Sequence, residues 1–322
     1  MLSRRAPAAA SRSAFLAQAL REACELDLLA LKPGNVGFHG DGHGMTTDDF
    51  TASAAAIAAP LAAAALTVGR RILAAVEATR AVVPCNTNLG IVLLCAPLAQ
   101  AALEARSGDT LAAALARVLA GLDVEDARSA YAAIRLAKPG GLGSSPRHDV
   151  REPPAVTLLA AMGEASERDS IARQYAFGFA EIFDCGLPLL RRQRARGRAE
   201  TWAVTALYLD YLARLPDSHI LRKHGAGVAG RTSARAAALA GRLASCDDPR
   251  LLENELLDWD RQLKAAGINP GTSADLTVAT LLAERIEDGM GNEFTAARPA
   301  SGVRGNAMWG KEEIRTPIMP TN

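Results

Sequence analysis

Residues 15–30 read FLAQALREACELDLLA, and this stretch decides the fold class. Its apolar side chains recur at spacings of three and four residues, as they do on one face of an α-helix. The positions of this stripe are Phe15, Ala19, Ala23, Leu26 and Ala30. Residues 171–182 and 276–286 repeat the period, and no run alternates apolar and polar residues with β-branched enrichment. The sequence therefore predicts an all-α fold.

Helix start signals and composition point the same way. Three segments match a capping box in which Asp replaces Glu at the third position: Thr46–Asp49, Ser166–Asp169 and Thr272–Asp275. Aromatic residues make up only 4% of the chain and alanine is abundant, which suits closely packed helices better than sheets. We expect one multi-helix catalytic domain over residues 1–290. Residues 291–322 lose the helical period and are predicted to be a disordered tail.

Charge and cysteine usage exclude several classes of function. The formal net charge is +1, so the chain has no bulk field to attract nucleic acid or an anionic membrane. Its five cysteines form no CxxC pair and are expected to be reduced thiols in a cytoplasmic protein. Met1–Ser13 lacks the apolar segment of a secretory signal. Residues 52–69 are uncharged but mostly alanine with an internal proline, which predicts a buried core helix rather than a membrane span.

Short segments rich in Gly, Asn and Pro separate the predicted helices. They cover residues 32–45, 84–90, 138–150, 216–225 and 267–275. All five histidines fall in these segments: His39, His43, His148, His219 and His224. We therefore expect the loops to converge on one polar pocket. The alternative is that solvated loops simply tolerate histidine.

Two of these segments have the features of anion-binding loops. In NTNLG (residues 86–90), Asn86 or Thr87 would cap the following helix and leave backbone N–H groups free for an anion. A cap needs only one such side chain, yet two asparagines flank the threonine. In KPGGLGSS (residues 138–145), the glycines allow backbone N–H groups to approach phosphate oxygens, and Lys138 adds charge. Plain capping and a plain helix connection are the alternatives.

The loop carboxylates are candidates for acid–base or metal chemistry. Asp217 begins DSHILRKHG (residues 217–225), where Arg222, Lys223 and His224 form a cationic cluster. Basic residues placed against a helix dipole would look the same. Asp275 has an alternative role as a capping partner of Thr272. The pattern HExxH is missing, and nothing in the sequence resembles a tight zinc site.

Together these segments resemble the triphosphoribosyl-dephospho-coenzyme A synthase family. The matching motifs are KPGNV (32–36) leading to His43, Met45 and FTAS (50–53), then NTNLG (86–90), residues 217–225 and NPGTSADL (269–276). The resemblance runs from about residue 20 to residue 287. Family members carry His-x-Asp-Met and Asn-Thr-His-Lys-Gly elements, whereas here Gly44 precedes Met45 and Asn88-Leu89 replaces His-Lys. The chain therefore looks like a divergent branch.

The resemblance implies an enzyme that joins ATP to 3′-dephospho-coenzyme A and releases adenine, with Mg²⁺ as cofactor. Such a glycosyl transfer needs a carboxylate at the reacting centre, a proton donor for adenine and cationic groups around the triphosphate. The implied catalytic residues are Asp217, Asp275, His43 and His224, with Asp217 and Asp275 also as metal ligands. The implied nucleotide contacts are Lys32, Gly34, Asn35, Asn86, Thr87, Asn88, Gly90, Gly140, Gly141, Arg222 and Lys223.

The expected partners are small-molecule nucleotides, with no nucleic acid and no membrane, and a homo-oligomer is compatible with the sequence. Two other functions stay open. One is a paralogous enzyme that uses a nucleotide in another cofactor pathway, such as that of a pterin-type one-carbon carrier, which the missing His-Lys and Asp favour. The other is a non-catalytic nucleotide-binding protein. Adenine release from ATP separates the enzymes from the binding protein, and dependence on dephospho-coenzyme A separates the two enzymes.

Overall fold

The computed structural model describes residues 6–291, and within that range it is built from α-helices without a β-strand. The all-α prediction is confirmed. The α-helices are α1 (Ala6–Leu29), α2 (Thr47–Ala62), α3 (Val68–Val82), α4 (Leu89–Glu104), α5 (Leu111–Ala120), α6 (Val124–Ala137), α7 (Leu158–Ala165), α8 (Ser170–Ala176), α9 (Leu187–Ala195), α10 (Glu200–Arg214), α11 (Ser218–Ser245), α12 (Glu253–Ala265) and α13 (Gly271–Gly291). A π-helix (Glu181–Gly186) precedes α9, and a 3₁₀-helix (Pro249–Leu252) precedes α12.

Helices α4 and α13 lie at the centre of the fold. Almost every residue of α4 from Leu89 to Ala102 is buried, as expected of a helix that is apolar all round. Helix α13 packs against α1, α4 and α10 and buries its apolar stripe from Leu276 to Ile286. Because both helices begin at Gly- and Asn-rich motifs, the core brings those motifs close to one another.

Several predicted boundaries are wrong. The stripe over residues 171–182 is interrupted, because α8 ends at Ala176 and Phe179 has a φ of 63°. Residues 216–225 and 267–275 are largely the first turns of α11 and α13 rather than loops. His219 and His224 therefore lie on α11, and the prediction that all five histidines occupy loops is wrong. Helix α1 begins at Ala6, so Met1–Ser13 is partly helical.

One of the three predicted capping boxes is present. The Thr46 side chain accepts a hydrogen bond from the N–H of Asp49, whose carboxylate accepts from the N–H of Thr46. At the second box, Asp169 rather than Ser166 is the N-cap of α8, because the Asp169 carboxylate accepts two backbone N–H groups of the first turn. The third box is wrong, because α13 begins one residue before Thr272, which already lies inside the helix.

The uncharged residues 52–69 are divided between α2 and α3, so they form two helices of the core rather than one long segment. Among residues 6–291, no helix has the length and apolar character needed to cross a bilayer. The predicted tail falls outside the described residues, apart from Gly291, which ends α13.

Candidate functional site

A cavity of about 550 Å³ opens where the first turns of α4, α11 and α13 meet the segments around residues 35–50 and 139–150. Most of the predicted site residues line it. These are Asn35, His43, Asn86, Thr87, Asn88, Gly90, Gly140, Arg222, Lys223 and Asp275. The remaining predicted residues lie outside the lining: Lys32, Gly34, Gly141, Asp217 and His224.

Asp275, in the first turn of α13, faces this cavity with no partner. Within the described part of the chain, its carboxyl group makes no hydrogen bond or ion pair. It lies against Gly90 of α4, where any side chain would overlap it. Burial raises the pKa of Asp275 well above its usual range, and the charges of Asp217, Asp27 and Asp169 add to this effect. Burial and the neighbouring carboxylates therefore both act against the charged form of Asp275.

Asp217 connects two helix starts instead of facing the cavity. One carboxylate oxygen accepts the backbone N–H groups of His219 (2.9 Å) and Ile220 (3.1 Å). The other accepts the N–H and the hydroxyl of Ser273, both at 2.8 Å. Burial still raises the pKa of Asp217, despite these four hydrogen bonds. Because both oxygens are engaged and the side chain is buried, the geometry favours a role in holding α11 against α13.

Lys32 lies beneath the cavity, where it makes two contacts with other buried side chains. Its ammonium group pairs with Asp27 at 2.5 Å and donates to Oδ1 of Asn35 at 2.9 Å. Asn35 in turn donates to Oδ1 of Asn269 at 3.0 Å. The proposed contact of Lys32 with phosphates therefore finds no support in its position. Asp27, which sequence reasoning missed, lines the cavity, and the acid five residues before Lys32 was the available signal.

Gly34 lets the loop after α1 approach the loop before α13. Its φ is +85°, which favours glycine, and a Cβ there would lie 2.9 Å from side-chain atoms of Leu263 and Pro270. Its N–H donates to Oδ1 of Asp260 at 2.8 Å. Gly34 thus places Asn35 at the cavity wall without lining the cavity itself.

Four histidines occupy different positions relative to the cavity. His43 lines it, and its Nε2 lies 2.8 Å from the carbonyl oxygen of Gly34. Since a carbonyl only accepts, Nε2 carries the hydrogen and Nδ1 is left as an acceptor. His148 and His219, which the sequence grouped with the histidines expected near one pocket without giving them a role, also line the cavity. His224 lies outside the lining, with Nε2 3.1 Å from the carbonyl oxygen of Gly267.

Two of the three histidines that line the cavity, His43 and His219, are held in the neutral form. Burial lowers the pKa of His43. Burial, followed by the charges of Lys223 and Arg222, lowers the pKa of His219 to about 3. A neutral imidazole has one nitrogen that donates and one that accepts, so either ring can contact a nucleotide without adding charge.

The NTNLG motif caps α4 and also leaves polar groups without partners. Oδ1 of Asn86 accepts the N–H of Leu89, the first residue of α4, at 3.1 Å, although the N-cap position belongs to Asn88, whose side chain makes no capping bond. Oγ1 of Thr87 and Nδ2 of Asn88 are buried and have no hydrogen-bond partner among the described residues. Buried polar atoms are almost always hydrogen-bonded. Unpartnered atoms on residues of a cavity wall therefore indicate a place where a ligand binds.

One wall of the cavity is cationic. Arg222 is held by Asp169, with 2.6 Å between Nη1 and Oδ2. Lys223 is exposed and forms no ion pair within residues 6–291. A Cβ on Gly140 would lie 2.9 Å from Cε of Lys223, and one on Gly141 would lie 3.3 Å from Cβ of Arg222. The Gly-rich loop thus packs closely on this basic pair.

Metal binding finds limited support in the protein atoms alone. Over residues 6–291, no group of three or more His, Cys, Asp or Glu side chains is arranged to hold a metal ion. Magnesium, however, is usually held by one or two carboxylates together with substrate phosphates. The unpartnered carboxyl group of Asp275 at the cavity wall fits that mode, whereas a cage made only of protein ligands does not fit.

Curated relatives match part of the chain. A protein of Pseudomonas fluorescens is 38% identical over 114 residues, covering 35% of this chain and 38% of that protein. A protein of Azotobacter vinelandii is 36% identical over 118 residues, covering 35% of this chain and 38% of that protein. Both carry the name 2-(5''-triphosphoribosyl)-3'-dephosphocoenzyme-A synthase. The matched part of this chain therefore spans well under half the length of these relatives.

A solved structure and a family profile extend the similarity over most of the chain. The crystal structure of an Archaeoglobus fulgidus protein described as a triphosphoribosyl-dephospho-CoA synthase matches with a TM-score of 0.56 and 25% identity. The match covers 72% of this chain and 97% of the archaeal one. The profile of the CitG family, ATP:dephospho-CoA triphosphoribosyl transferase, matches residues 13–294. Together with the cavity built from the shared motifs, this match shows that the chain belongs to the ATP:dephospho-CoA triphosphoribosyl transferase family.

Proposed function

We propose that this protein transfers the triphosphoribosyl group of ATP to the 2′-hydroxyl of 3′-dephospho-coenzyme A and releases adenine. The family supports the reaction, and one observation supports its location. The carboxyl group of Asp275 faces a cavity of about 550 Å³ without a partner, between the starts of α4 and α13. Asp275 is partly buried, and an unpaired carboxyl group in such a position contributes no stabilising contact, so its presence there favours a functional role over a structural one.

The reaction is a substitution at a sugar carbon. The attacking hydroxyl oxygen forms a bond to C1′ of the ATP ribose, the bond from C1′ to N9 of adenine breaks, and adenine takes the electron pair and a proton. Positive charge develops on the ribose, as in other glycosyl transfers. The acidic groups of the cavity would stabilise this charge, because an electrostatic interaction is strong where water is excluded.

We assign Asp275 to Mg²⁺, which would neutralise the triphosphate when bound. Asp217 then becomes a positioning residue, because its four hydrogen bonds fix the first turn of α13 that carries Asp275. Asp275 would lose its proton when the cation binds, as ligands of metal ions generally do. ATP should consequently bind weakly in excess chelator.

The cationic wall and the NTNLG motif are suited to the phosphates. The free ammonium group of Lys223 and the guanidinium of Arg222 lie beside the Gly-rich loop. Thr87 and Asn88 add unpartnered polar atoms at the start of α4, where the helix dipole favours an anion. A triphosphate bound here would satisfy both charge and hydrogen bonding.

The histidines are suited to neutral contacts. Nδ1 of His43 can accept a hydrogen bond from a sugar hydroxyl or an amino group, because Nε2 is tied to Gly34. His219 is neutral at physiological pH and can donate to a ring nitrogen of the departing purine. We keep His224 out of the reaction because it lies outside the cavity lining. A reducing cytoplasmic setting would suit the five free cysteines.

Chromatography of free adenine tests the proposal. Protein incubated with ATP, Mg²⁺ and dephospho-coenzyme A should release adenine in step with the adduct, and omitting either the acceptor or Mg²⁺ should stop release. Asp275→Asn should lower the rate about 10²-fold or more. Asp210→Asn, which changes a carboxylate paired with Arg214 away from the cavity, is the control. Release that requires a pterin instead of dephospho-coenzyme A would identify the paralogous function.

A further inference from the structure

Two pairs of Asp and Lys, one buried and one partly buried, hold the loop that follows α1, and they differ in how their carboxylate oxygens are used. In the first, Asp260 accepts the N–H of Gly34 on one oxygen (2.8 Å) and the ammonium of Lys264 on the other (2.9 Å). Lys264 also donates to the carbonyl of Gly40 at 2.8 Å. Both oxygens of Asp260 are thus engaged, and neither residue lines the cavity. This pair has the features of a structural brace.

The second pair, Asp27 and Lys32, leaves an oxygen unused. Oδ2 of Asp27 accepts from Lys32, while Oδ1 is buried and has no partner in the described part of the chain. The side chain is 5% exposed and belongs to the cavity wall. A buried acceptor without a partner destabilises the folded state. A structural brace has no need of an unpartnered oxygen, as the pair at Asp260 demonstrates.

A chain of hydrogen bonds fixes the orientation of Asp27. Lys32 donates to both Asp27 and Asn35, and Asn35 donates to Asn269, so residues from both ends of the sequence hold one carboxylate. Each of these side chains is at least nine-tenths buried. Burial raises the pKa of Asp27, as a proton acceptor requires, and the ammonium group of Lys32 opposes that rise without cancelling it. The chain therefore fixes the carboxylate of a residue that belongs to the cavity wall, with Oδ1 buried and free of protein partners in the described residues.

We infer that Asp27 is the general base of the transfer, with Oδ1 accepting the proton of the attacking hydroxyl. This inference rests on the proposed function and adds a residue to it. As the oxygen of the acceptor bonds to C1′ and the bond to N9 breaks, the hydroxyl proton passes to Asp27, and the departing adenine takes up a proton. Asp27 then releases the proton of the hydroxyl to solvent, and adenine takes its proton from solvent, so atoms and charge balance. Lys32, Asn35 and Asn269 act as positioning residues.

Matched amide variants of the two pairs test the inference. Asp27→Asn and Asp260→Asn each remove the partner of a lysine that is buried or partly buried, so both melting temperatures should fall. Adenine release by Asp27→Asn should fall about 10²–10⁴-fold in kcat, the range for loss of a general base. The affinities for ATP and dephospho-coenzyme A, measured by calorimetry, should stay within about threefold of wild type. Asp260→Asn should keep kcat within about fivefold, because its carboxylate acts outside the cavity.

Double variants cover the case in which an unpaired lysine prevents folding. Asp27→Asn with Lys32→Met, and Asp260→Asn with Lys264→Met, remove both charges of a pair, which buried sites tolerate better than the loss of one. The first should remain inactive and the second active. Equal losses of kcat in the two pairs, or near-normal turnover without Asp27, would overturn the inference. Absence of dephospho-coenzyme A-dependent adenine release from the wild type would instead refute the proposed function itself.

Discussion

Gly90 at the start of α4 leaves room for the carboxyl group of Asp275 at the start of α13. A methyl group at position 90 would overlap Oδ2 of Asp275 and would lie 2.7 Å from a methyl carbon of Ile171. Gly90→Ala should therefore displace the carboxyl group and lower adenine release by about 10²-fold, the scale of a misplacement near 1 Å. Steady-state kinetics with varied Mg²⁺ should show a weaker apparent affinity for the cation.

The control is a glycine on a helix with free space around it. A Cβ at Gly241 of α11 would have no neighbouring atom within 4 Å, so Gly241→Ala should raise stability by about 0.5–1 kcal/mol through helix propensity. Its activity should match wild type. If Gly90→Ala keeps normal turnover, the position of Asp275 does not matter to the reaction.

The unpaired carboxyl group should make the protein less stable at neutral pH than its amide variant. The pKa of Asp275 is raised in the folded state above its unfolded value near 3.8, so the folded state binds more protons across that window. The stability contributed by protonation is complete below about 3.8 and is lost as the pH rises through the folded pKa. In metal-free buffer, Asp275→Asn should gain about 1–2 kcal/mol at pH 8 relative to wild type and little at pH 4.

Chemical denaturation at the two pH values measures this difference. A variant that is less stable than wild type at pH 8 would mean that the carboxylate has a stabilising partner. Such a result would also weaken the assignment of Asp275 to Mg²⁺.

Lys223 and Lys138 should differ in their effect on nucleotide binding. Lys223 lines the cavity with a free ammonium group, whereas Lys138 ends α6 with a φ of 50° and lies outside the lining. Lys223→Ala should weaken ATP binding about tenfold or more, as expected for a lost charge-assisted contact, with little change in melting temperature. Lys138→Asn, in which asparagine tolerates the left-handed backbone, should bind ATP normally. Calorimetric titration separates them, and equal losses would point to a general effect of charge.

His219 should remain neutral over the physiological range. Its pKa is lowered to about 3 by burial and by the charges of Lys223 and Arg222. Since the unfolded chain would bind a proton below about 6.5, folding stability should fall as the pH drops from 6.5 towards 3, and His219→Asn should flatten this dependence. Imidazole nitrogen shifts in NMR spectra, assigned with the variant, should show no titration between pH 5 and pH 8. A midpoint near 6.5 would place His219 in contact with water.

The fold class followed from the sequence because the helical period persists along almost the whole chain. The helix starts at Asp217 and Gly271 were harder to locate, because Gly, Asn and Pro mark loops and first turns alike. Asp217 shows the difficulty. Its place at the head of a basic segment suggested a chemical role. Two of its four hydrogen bonds, however, come from Ser273, which is distant in sequence.

The sequence predicted the site residues that stand in Gly-rich motifs and missed Asp27, which lies within a helix. Asn86, Asn88 and Asp275 stand in Gly-rich motifs and line the cavity. Asp27 sits between leucines in the last turn of α1, where an acid is expected to face solvent. Its pairing with Lys32, five residues along the chain, forms where the backbone leaves α1, and the helical period does not indicate that pairing.

The hydrogen bond between Asn35 and Asn269 joins side chains 234 positions apart in the sequence. The ribosome synthesises the loop after α1 long before α13, so Asn35 cannot form its hydrogen bond until Asn269 has been made. Contacts of such large sequence separation are slow to form, because their loop-closure entropy is lost before they contribute stability. The nucleotide cavity should thus be among the last features to mature during biosynthesis, and a nascent chain that has folded its first helices would not yet bind ATP.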